Sequence, residues 1–294
     1  MPQSSQTLEN VFELMKPDQI TTPLVLDSPH SGTRYPEDFA FSCPLETLRA
    51  FEDQRVDELF EDAASQNNIP FLKALFPRTY IDPNRAEHDI PLHMIDGHWP
   101  HPTTPSARAD AGHGLIRETI GAHKLKLYAR KLTVEEVRRR ITDYYRPYHA
   151  ALTETLDRTH EEMGFYLHID CHSMTSAMIA PFHPVQIPDF IIGDMDGTSC
   201  SIAFRRTLQM TLIKMGYHVA VNIPYKGVEI VKRYGDPSRG RHSLQLEMNK
   251  SLYLDSNNEK IEKKFNKLKS DLENLIQEMR STLTAHITPM AADE

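Results

Sequence analysis

Short apolar runs alternate with longer amphipathic stretches along the chain, a pattern typical of α/β proteins. Buried strands are predicted at residues 23–27, 69–76, 166–171, 190–194, 218–223 and 242–247. Helices are predicted at residues 44–65, 133–162, 200–215 and 257–285, with a kink or break at Pro147. We therefore predict one three-layer α/β domain over residues 1–294, with a mixed, mostly parallel sheet flanked by helices.

Three stretches fall outside this alternation. Residues 1–20 are predicted to form a loose lead-in with a short helix around residues 8–15, and residues 286–294 to form a loose tail. Residues 86–131 are rich in Pro, His and Gly and show no periodicity. A long irregular stretch in a compact domain is usually functional or mobile, so we predict a loop or lid over a site.

The composition is that of a globular protein with a large core, since 39% of the 294 residues are hydrophobic and 25% are charged. A mean hydropathy of −0.49 predicts no membrane span, and the polar residues 1–10 predict no signal peptide. A net charge of −8 disfavours nucleic acid as a partner but leaves small anions open. The cysteines Cys43, Cys171 and Cys200 form no CxxC pair, which favours a reducing cytoplasm.

Histidines directly follow two of the predicted strands. The run 166–171 leads into His172, and the run 23–27 leads into a Ser-Pro-His-Ser-Gly turn that contains His30. The carboxyl ends of neighbouring parallel strands meet at one edge of a sheet, so these two imidazoles can converge on a metal. The alternative is ordinary, because a histidine after a strand is more often a hydrogen-bonded structural residue.

Carboxylates occur inside the predicted helix 44–65. Glu52 and Asp53 lie in or beside its apolar face, where an unpaired carboxylate costs several kcal/mol. Two readings remain open. The carboxylates either form salt bridges with Arg49 or Arg55, or one of them is a third metal ligand.

Basic residues mark two candidate anion sites. Asn84 and Arg85 follow an Asp-Pro break and suit a substrate carboxylate, although a solvated surface turn would look the same. The stretch 224–241 is basic and includes Arg233 and Arg239, which suits either an anion-binding lid or an exposed loop.

Glu247 lies near the end of the strand 242–247 and is a candidate general base. Two histidines and a carboxylate hold a catalytic zinc while leaving a position for water, whose pKa zinc lowers toward about 7. An arginine that holds a substrate carboxylate would orient the reacting bond. Together these parts predict hydrolysis of an amide next to a carboxylate-bearing group.

Several blocks carry a family resemblance, in the same order as in the family. They are SPHSG (28–32), DQRVDELF (53–60), IDPNR (81–85), YYRPYHAA (144–151), IDCHSM (169–174), GDMDGTSC (193–200), PY (224–225), RYGDP (233–237) and LQLEMNKSLY (244–253). The chain resembles the N-formylglutamate amidohydrolase family, which is related in fold to zinc carboxypeptidases and to the aspartoacylase and succinylglutamate-desuccinylase group.

The resemblance implies a metal site. His30 and His172 match the two metal-ligating histidines, with Asp170 expected as a hydrogen-bond partner of a ligand rather than a ligand. The usual His-x-x-Glu carboxylate is missing, because Thr33 stands three residues after His30. Asp53 is the predicted substitute. Two further carboxylates remain open for this position, Glu52 and Glu37.

The resemblance also implies how substrate is bound. Asn84 and Arg85 match the pair that holds the substrate carboxylate, with Arg233 and Arg239 as further candidates, and Glu247 matches the general base. The expected cofactor is Zn²⁺ or another divalent metal.

The implied activity is hydrolysis of N-formyl-L-glutamate or a similar small anionic N-acyl amino acid by a monomer or small homo-oligomer. The family name adds a role in histidine degradation. The segment Gly227-Val228-Glu229 departs from the family pattern and leaves the acyl group open. The alternatives are a deacylase or carboxypeptidase of this fold with another substrate, and a metal-free small-anion-binding protein.

Overall fold

A computed structural model describes residues 3–121 and 123–290. The strands are β1 (Gln3–Leu8), β2 (Phe12–Pro17), β3 (Leu24–Ser28), β4 (Phe71–Ala74), β5 (Ile95–Asp96), β6 (Thr119–Ile120), β7 (Leu125–Lys126), β8 (Leu132–Thr133), β9 (Tyr166–Met174), β10 (Phe190–Gly193), β11 (Val219–Val221) and β12 (Arg241–Asn249). The helices are α1 (Leu45–Arg49), α2 (Val56–Gln66), α3 (Ala107–Asp110), α4 (Val134–Arg140), α5 (Arg146–Met163), α6 (Ser176–Ile179), α7 (Ile202–Lys214), α8 (Glu229–Tyr234) and α9 (Glu262–Met290).

Eight strands form the main sheet in the order β1-β2-β4-β3-β9-β12-β10-β11. The central strands β4, β3, β9 and β12 are parallel to one another. Strand β10 is antiparallel to β12, and β1 and β2 form an antiparallel hairpin at one edge. The predicted mixed, mostly parallel sheet is confirmed.

Helices cover both faces of the sheet, which confirms the predicted layers. Successive side chains of a strand point to opposite faces. In β3, Leu24 and Leu26 join the core beneath α2, α7 and α9, whereas Val25 joins the core beneath α4 and α5. Apolar positions on both faces explain why the central strands look like continuous hydrophobic runs in the sequence. No helix in the described ranges is both long and apolar enough to span a bilayer.

The predicted loose lead-in with a short helix is wrong for the described part of residues 1–20. This segment instead forms the hairpin β1–β2, and β2 pairs with β4. Phe12 and Leu14 are both buried and are two residues apart, which is the period of a strand. The apolar residues of this segment also fit a helical spacing, which is why a helix was predicted. At the other end, α9 continues through the predicted tail to Met290, and residues 291–294 lie outside the described residues.

Pro147 does not end the helix in which it occurs. A π-helical stretch, Ile141–Tyr145, joins α4 to α5, and Pro147 falls in the first turn of α5. The N–H of Arg146 donates to the carbonyl of Ile141, five residues earlier. The wider turn lets the chain pass a residue that lacks its own N–H, so a π-bulge stands where a kink or break was predicted.

The predicted helix 44–65 is two helices. Residues 50–55 separate α1 from α2, and Arg55 adopts a left-handed backbone with φ of 60°. The interruption takes Asp53 out of any helix and turns it toward the end of β3, where the Asp53 N–H donates to the His30 carbonyl at 3.0 Å.

Candidate metal and substrate site

Three separate segments bring together two histidines and an aspartate. His30 follows the end of β3, His172 lies inside the neighbouring strand β9, and Asp53 lies on the loop between α1 and α2. One nitrogen or oxygen from each of these buried residues lies within 4.8 Å of the others. β9 continues to Met174, so His172 is held inside a strand rather than on the loop that the sequence predicted.

The Nδ1 atoms of both imidazoles face the same carboxylate oxygen. His172 Nδ1 lies 2.8 Å from Asp53 Oδ2, and His30 Nδ1 lies 3.4 Å from it. His30 Nδ1 is fully buried and has no hydrogen-bond partner within residues 3–121 and 123–290. A buried polar atom without a partner is costly, and it points here to a missing ligand between the three side chains.

The opposite ring nitrogens each lie next to a carboxylate. His30 Nε2 is hydrogen-bonded to Asp82 Oδ1 at 2.7 Å, whereas His172 Nε2 lies 2.8 Å from Asp170 Oδ1 as an ion pair and 3.2 Å from Asn84 Nδ2. Metal-ligating histidines typically use one nitrogen on the metal and donate the other N–H to a carboxylate. Two imidazoles and one carboxylate therefore fit a divalent metal, and this donor set suits zinc.

The electrostatics of the cluster favour a cation. Burial alone would lower the pKa of His172, but Asp170 and Asp53 outweigh it and hold that pKa well above its usual value. Burial opposes ionisation of Asp53, yet the hydrogen bond from His172 and the nearby imidazole of His30 keep its pKa below the usual range. The negative charges that favour a proton here equally favour a divalent cation.

Glu247 lies on β12, directly opposite His172 of β9 in the register of the parallel pair. Gln245 Nε2 donates to Glu247 Oε1 at 2.7 Å and orients the carboxyl group. Burial raises the pKa of Glu247 to about 7, with His172 lowering it and Asp53 raising it. A carboxyl group with a pKa near neutrality can both accept and return a proton.

The cluster and Glu247 line one cavity of about 690 Å³, together with four arginines. Arg85 and Arg117 are buried, at 5% and 7% exposure. Burial lowers the pKa of Arg117 to about 9, and repulsion from Arg78 adds to the effect. Buried cations are expensive unless an anion compensates them, so this wall of the cavity is suited to anionic ligands. The four arginines, called the arginine wall below, are Arg78, Arg85, Arg108 and Arg117.

Most of the arginine wall lacks an acidic partner. Arg78 Nη2 donates to Asp82 Oδ2 at 3.0 Å. In the described part of the chain, no carboxylate lies within 4.0 Å of the guanidinium groups of Arg85, Arg108 or Arg117. Arg117 instead contacts His113 Nδ1 at 2.8 Å. The positive charge is therefore available to a ligand.

Asn84 and Arg85, the pair predicted to bind a substrate carboxylate, both line the cavity. Arg85 Nε donates to the His113 carbonyl at 2.9 Å, and Arg85 Nη1 donates to the Asn84 carbonyl at 2.6 Å. The Asn84 amide oxygen accepts from the Ile230 N–H at 3.0 Å, and its Nδ2 donates to Asp170 Oδ2 at 3.3 Å. These bonds hold the Arg85 guanidinium and Asp170 in fixed positions.

Four other sequence candidates do not join the cluster. Glu52 is buried beside Asp53, but its side chain accepts from the Tyr35 hydroxyl at 2.6 Å. Glu37 is exposed. Arg233 lines a separate groove, and Arg239 lies just before β12 begins, at the opposite end of the sheet from Glu247. Their side chains come from segments that the fold directs elsewhere.

Sequence reasoning missed several residues of the site. Arg78 and Asp82 lie in or next to the IDPNR block, and their spacing of four residues was the available signal. Arg108 and Arg117 come from the irregular segment 86–131, where only histidines were considered. Isolated arginines on a non-periodic loop look the same in sequence as solvated surface residues.

A cavity at the carboxyl ends of the strands is the usual ligand site of an α/β sheet, and here it combines a His–Asp–His cluster with an arginine-lined wall suited to small anions. The chain belongs to the N-formylglutamate amidohydrolase family, whose model matches residues 22–254. The resemblance found in the sequence is confirmed.

Relatives and a solved structure agree with this family. The chain is 30% identical over 238 residues to the N-formylglutamate deformylase of Pseudomonas putida, covering 79% of this chain and 82% of that protein. It is 30% identical over 237 residues to the N-formylglutamate deformylase of Pseudomonas aeruginosa, with the same coverage of 79% and 82%. The crystal structure of N-formylglutamate amidohydrolase from Ralstonia eutropha JMP134 superposes with a TM-score of 0.90 at 40% identity, covering 95% of this chain and 100% of that one.

Proposed function

We propose that this chain hydrolyses the formamide bond of N-formyl-L-glutamate to formate and glutamate. The observation that carries the proposal is the shared cavity, in which the His–Asp–His cluster and Glu247 lie beside the arginine wall. The substrate has one amide to cleave and two carboxylates to hold. The names of the relatives support the same substrate.

His30, Asp53 and His172 would hold a divalent metal, with zinc the best match to the donor set. When bound, the metal supplies Lewis-acid activation of water and of the formyl carbonyl. Glu247 would take a proton from the attacking water and return it to the leaving amine nitrogen. Its position opposite His172 and its raised pKa support that role.

The arginine wall would orient the substrate. Arg85 and Arg117 can each fork a carboxylate with two parallel N–H donors. Arg78 Nη1 lies 4.0 Å from Asp53 Oδ1, beside the proposed metal cluster. We assign Arg78 to the negative charge that develops on the formyl oxygen, because fixed donors aimed at such charge are a major source of catalysis.

The size of the cavity also favours substrates larger than N-formylglutamate. Cavities of about 300–1,000 Å³ accommodate drug-sized ligands, and this one is about 690 Å³. N-formylglutamate is much smaller than such ligands. Longer N-acyl groups on a dicarboxylic amino acid are therefore the alternative substrates to compare.

The test combines metal content with a substrate panel. Purified protein is stripped with a chelator, reloaded with zinc, and assayed with N-formyl-, N-acetyl- and N-succinyl-glutamate. We expect about one bound metal per chain, loss of activity on stripping, and formate release after reloading. Protein that binds no divalent ion and hydrolyses none of these amides with added metal would contradict the proposal.

A further inference from the structure

The loop that carries Asp53 is held from both sides by one other segment. Lys250 Nζ donates to the Glu52 carbonyl at 2.6 Å, and the Tyr253 hydroxyl donates to the Gln54 carbonyl at 2.9 Å. Glu52 and Gln54 are the residues immediately before and after Asp53. Both donors lie in the turn that follows β12, three and six residues after Glu247.

Both donors are buried. Burial of polar groups costs free energy, which indicates that these two contacts have a role. Lys250 is 6% exposed and Tyr253 is fully buried. Burial lowers the pKa of Lys250, and its ammonium group donates to a neutral carbonyl rather than to a carboxylate. A lysine used only for packing would be cheaper as an apolar residue.

The loop needs external support. Arg55, two residues after Asp53, adopts φ of 60°, a left-handed conformation that is unfavourable for residues with a side chain. Such conformations are costly and persist only where the surroundings hold them. Without Lys250 and Tyr253, the loop would gain conformations in which Asp53 Oδ2 no longer faces the two histidines.

We propose that Lys250 and Tyr253 are positioning residues that fix Asp53 as a metal ligand. Both residues follow Glu247 on the same segment. They therefore also fix the position of Asp53 relative to Glu247, the proposed base. The inference rests on the proposed metal site. Neither residue needs to contact the reacting atoms for this role.

The test uses two mild variants and one matched control. Tyr253→Phe removes a single hydroxyl, and Lys250→Met keeps most of the alkyl stem while removing the ammonium. Tyr166→Phe is the control, because the buried Tyr166 hydroxyl also donates to a backbone carbonyl, that of Tyr234, at 2.6 Å near the other end of β9. Lys250→Arg restores a cationic donor.

Metal affinity is measured by competition with a chromophoric chelator. Loss of a residue that orients a metal ligand typically weakens metal binding about 10–100-fold, and we expect at least about 10-fold for each variant. Tyr166→Phe should bind metal normally, and Lys250→Arg should recover part of the loss. With saturating metal, KM for the substrate should stay near that of the unaltered protein in Tyr253→Phe, which does not line the cavity, whereas Lys250 does line it and its KM is not used as a criterion.

Amide hydrogen exchange in the metal-free protein is the second measurement. We expect faster exchange in a peptide covering residues 50–56 of Tyr253→Phe and Lys250→Met, with exchange elsewhere unchanged. Normal metal affinity and normal exchange in both variants would overturn the positioning role while leaving the proposed function intact. If the unaltered chain binds no metal, both the metal site and this inference fail together.

Discussion

Two histidine–aspartate networks lie next to each other on the same central strands. They differ in how many of their polar atoms have hydrogen-bond partners. The first is the site around His30, Asp53 and His172. The second, called the His168 network below, has His168 Nε2 3.0 Å from Asp27 Oδ1. His168 Nδ1 lies 2.9 Å from the Ser243 hydroxyl, and the Tyr148 hydroxyl donates to Asp27 Oδ2 at 2.7 Å.

In the His168 network, both nitrogens of His168 and both oxygens of Asp27 have hydrogen-bond partners. In the site, His30 Nδ1 has no hydrogen-bond partner among the described residues, and the cluster lines a cavity. A fully satisfied polar network stiffens and specifies a core, whereas an unsatisfied one is ready for a ligand. The same residue types on the same strands therefore form one saturated network and one unsaturated network, and only the second is proposed to bind a metal.

The largest effect is expected from His172→Ala, which tests whether the two histidine networks differ in function. If His172 is a metal ligand, the variant should lose more than the roughly 10–100-fold in affinity that loss of a ligand's supporting partner causes, so that desalted protein carries no metal. Metal content by mass spectrometry and activity on N-formylglutamate are the measurements.

His93→Ala is the control, since His93 is exposed and pairs with Glu118 at 2.8 Å. A His172→Ala protein that retains a full complement of metal would show that His172 is a structural histidine like His168.

The next largest effect is expected from Glu247→Gln. The amide keeps the size and the contact with Gln245 but cannot accept a proton, so kcat should fall about 10²-fold or more while metal content stays normal. Initial rates at saturating substrate test this. Near-normal kcat would assign the base to another group. Glu162→Gln, which alters an exposed carboxylate paired with Arg158, should behave like the unaltered protein.

Several residues of the candidate site were predicted from the sequence. His30, His172 and Glu247 were identified because each lies at or near the end of an apolar run, and parallel strands align such ends. The central strands and the flanking helices were predicted for the same reason, since their apolar periodicity is strong.

The remainder depends on contacts that no local pattern encodes. The hairpin β1–β2 was missed because the pairing of β2 with β4 decides its structure. Asp82 and Arg117 were missed because only the folded chain places them beside His30 and Arg85. His168 occurs in the same apolar run as His172, and nothing in that run shows which of the two is saturated.

Arg85→Ala tests whether the charge of the arginine wall is used by a ligand. A hydrogen bond to a charged group contributes about 1.5–3 kcal/mol, so KM for dicarboxylic substrates should rise about 10–100-fold. A neutral diamide analogue of the substrate should lose much less. Michaelis constants for the two ligands provide the measurement, with Arg158→Met as the surface control. An unchanged KM for the dicarboxylate would place the carboxylate-binding group elsewhere on the wall.

The smallest effect on activity is expected from Ser243→Ala, which alters only the saturated network. The change leaves His168 Nδ1 without its partner, and an unsatisfied buried group costs about 1–3 kcal/mol of unfolding free energy. Denaturant unfolding should show that loss, whereas metal affinity and kcat should stay within about twofold, because the Ser243 hydroxyl is bonded to His168 and not to a residue of the cluster. If metal affinity falls while stability does not, then His168 and His172 belong to one functional unit, and saturation does not separate structural from chemical histidines in this sheet.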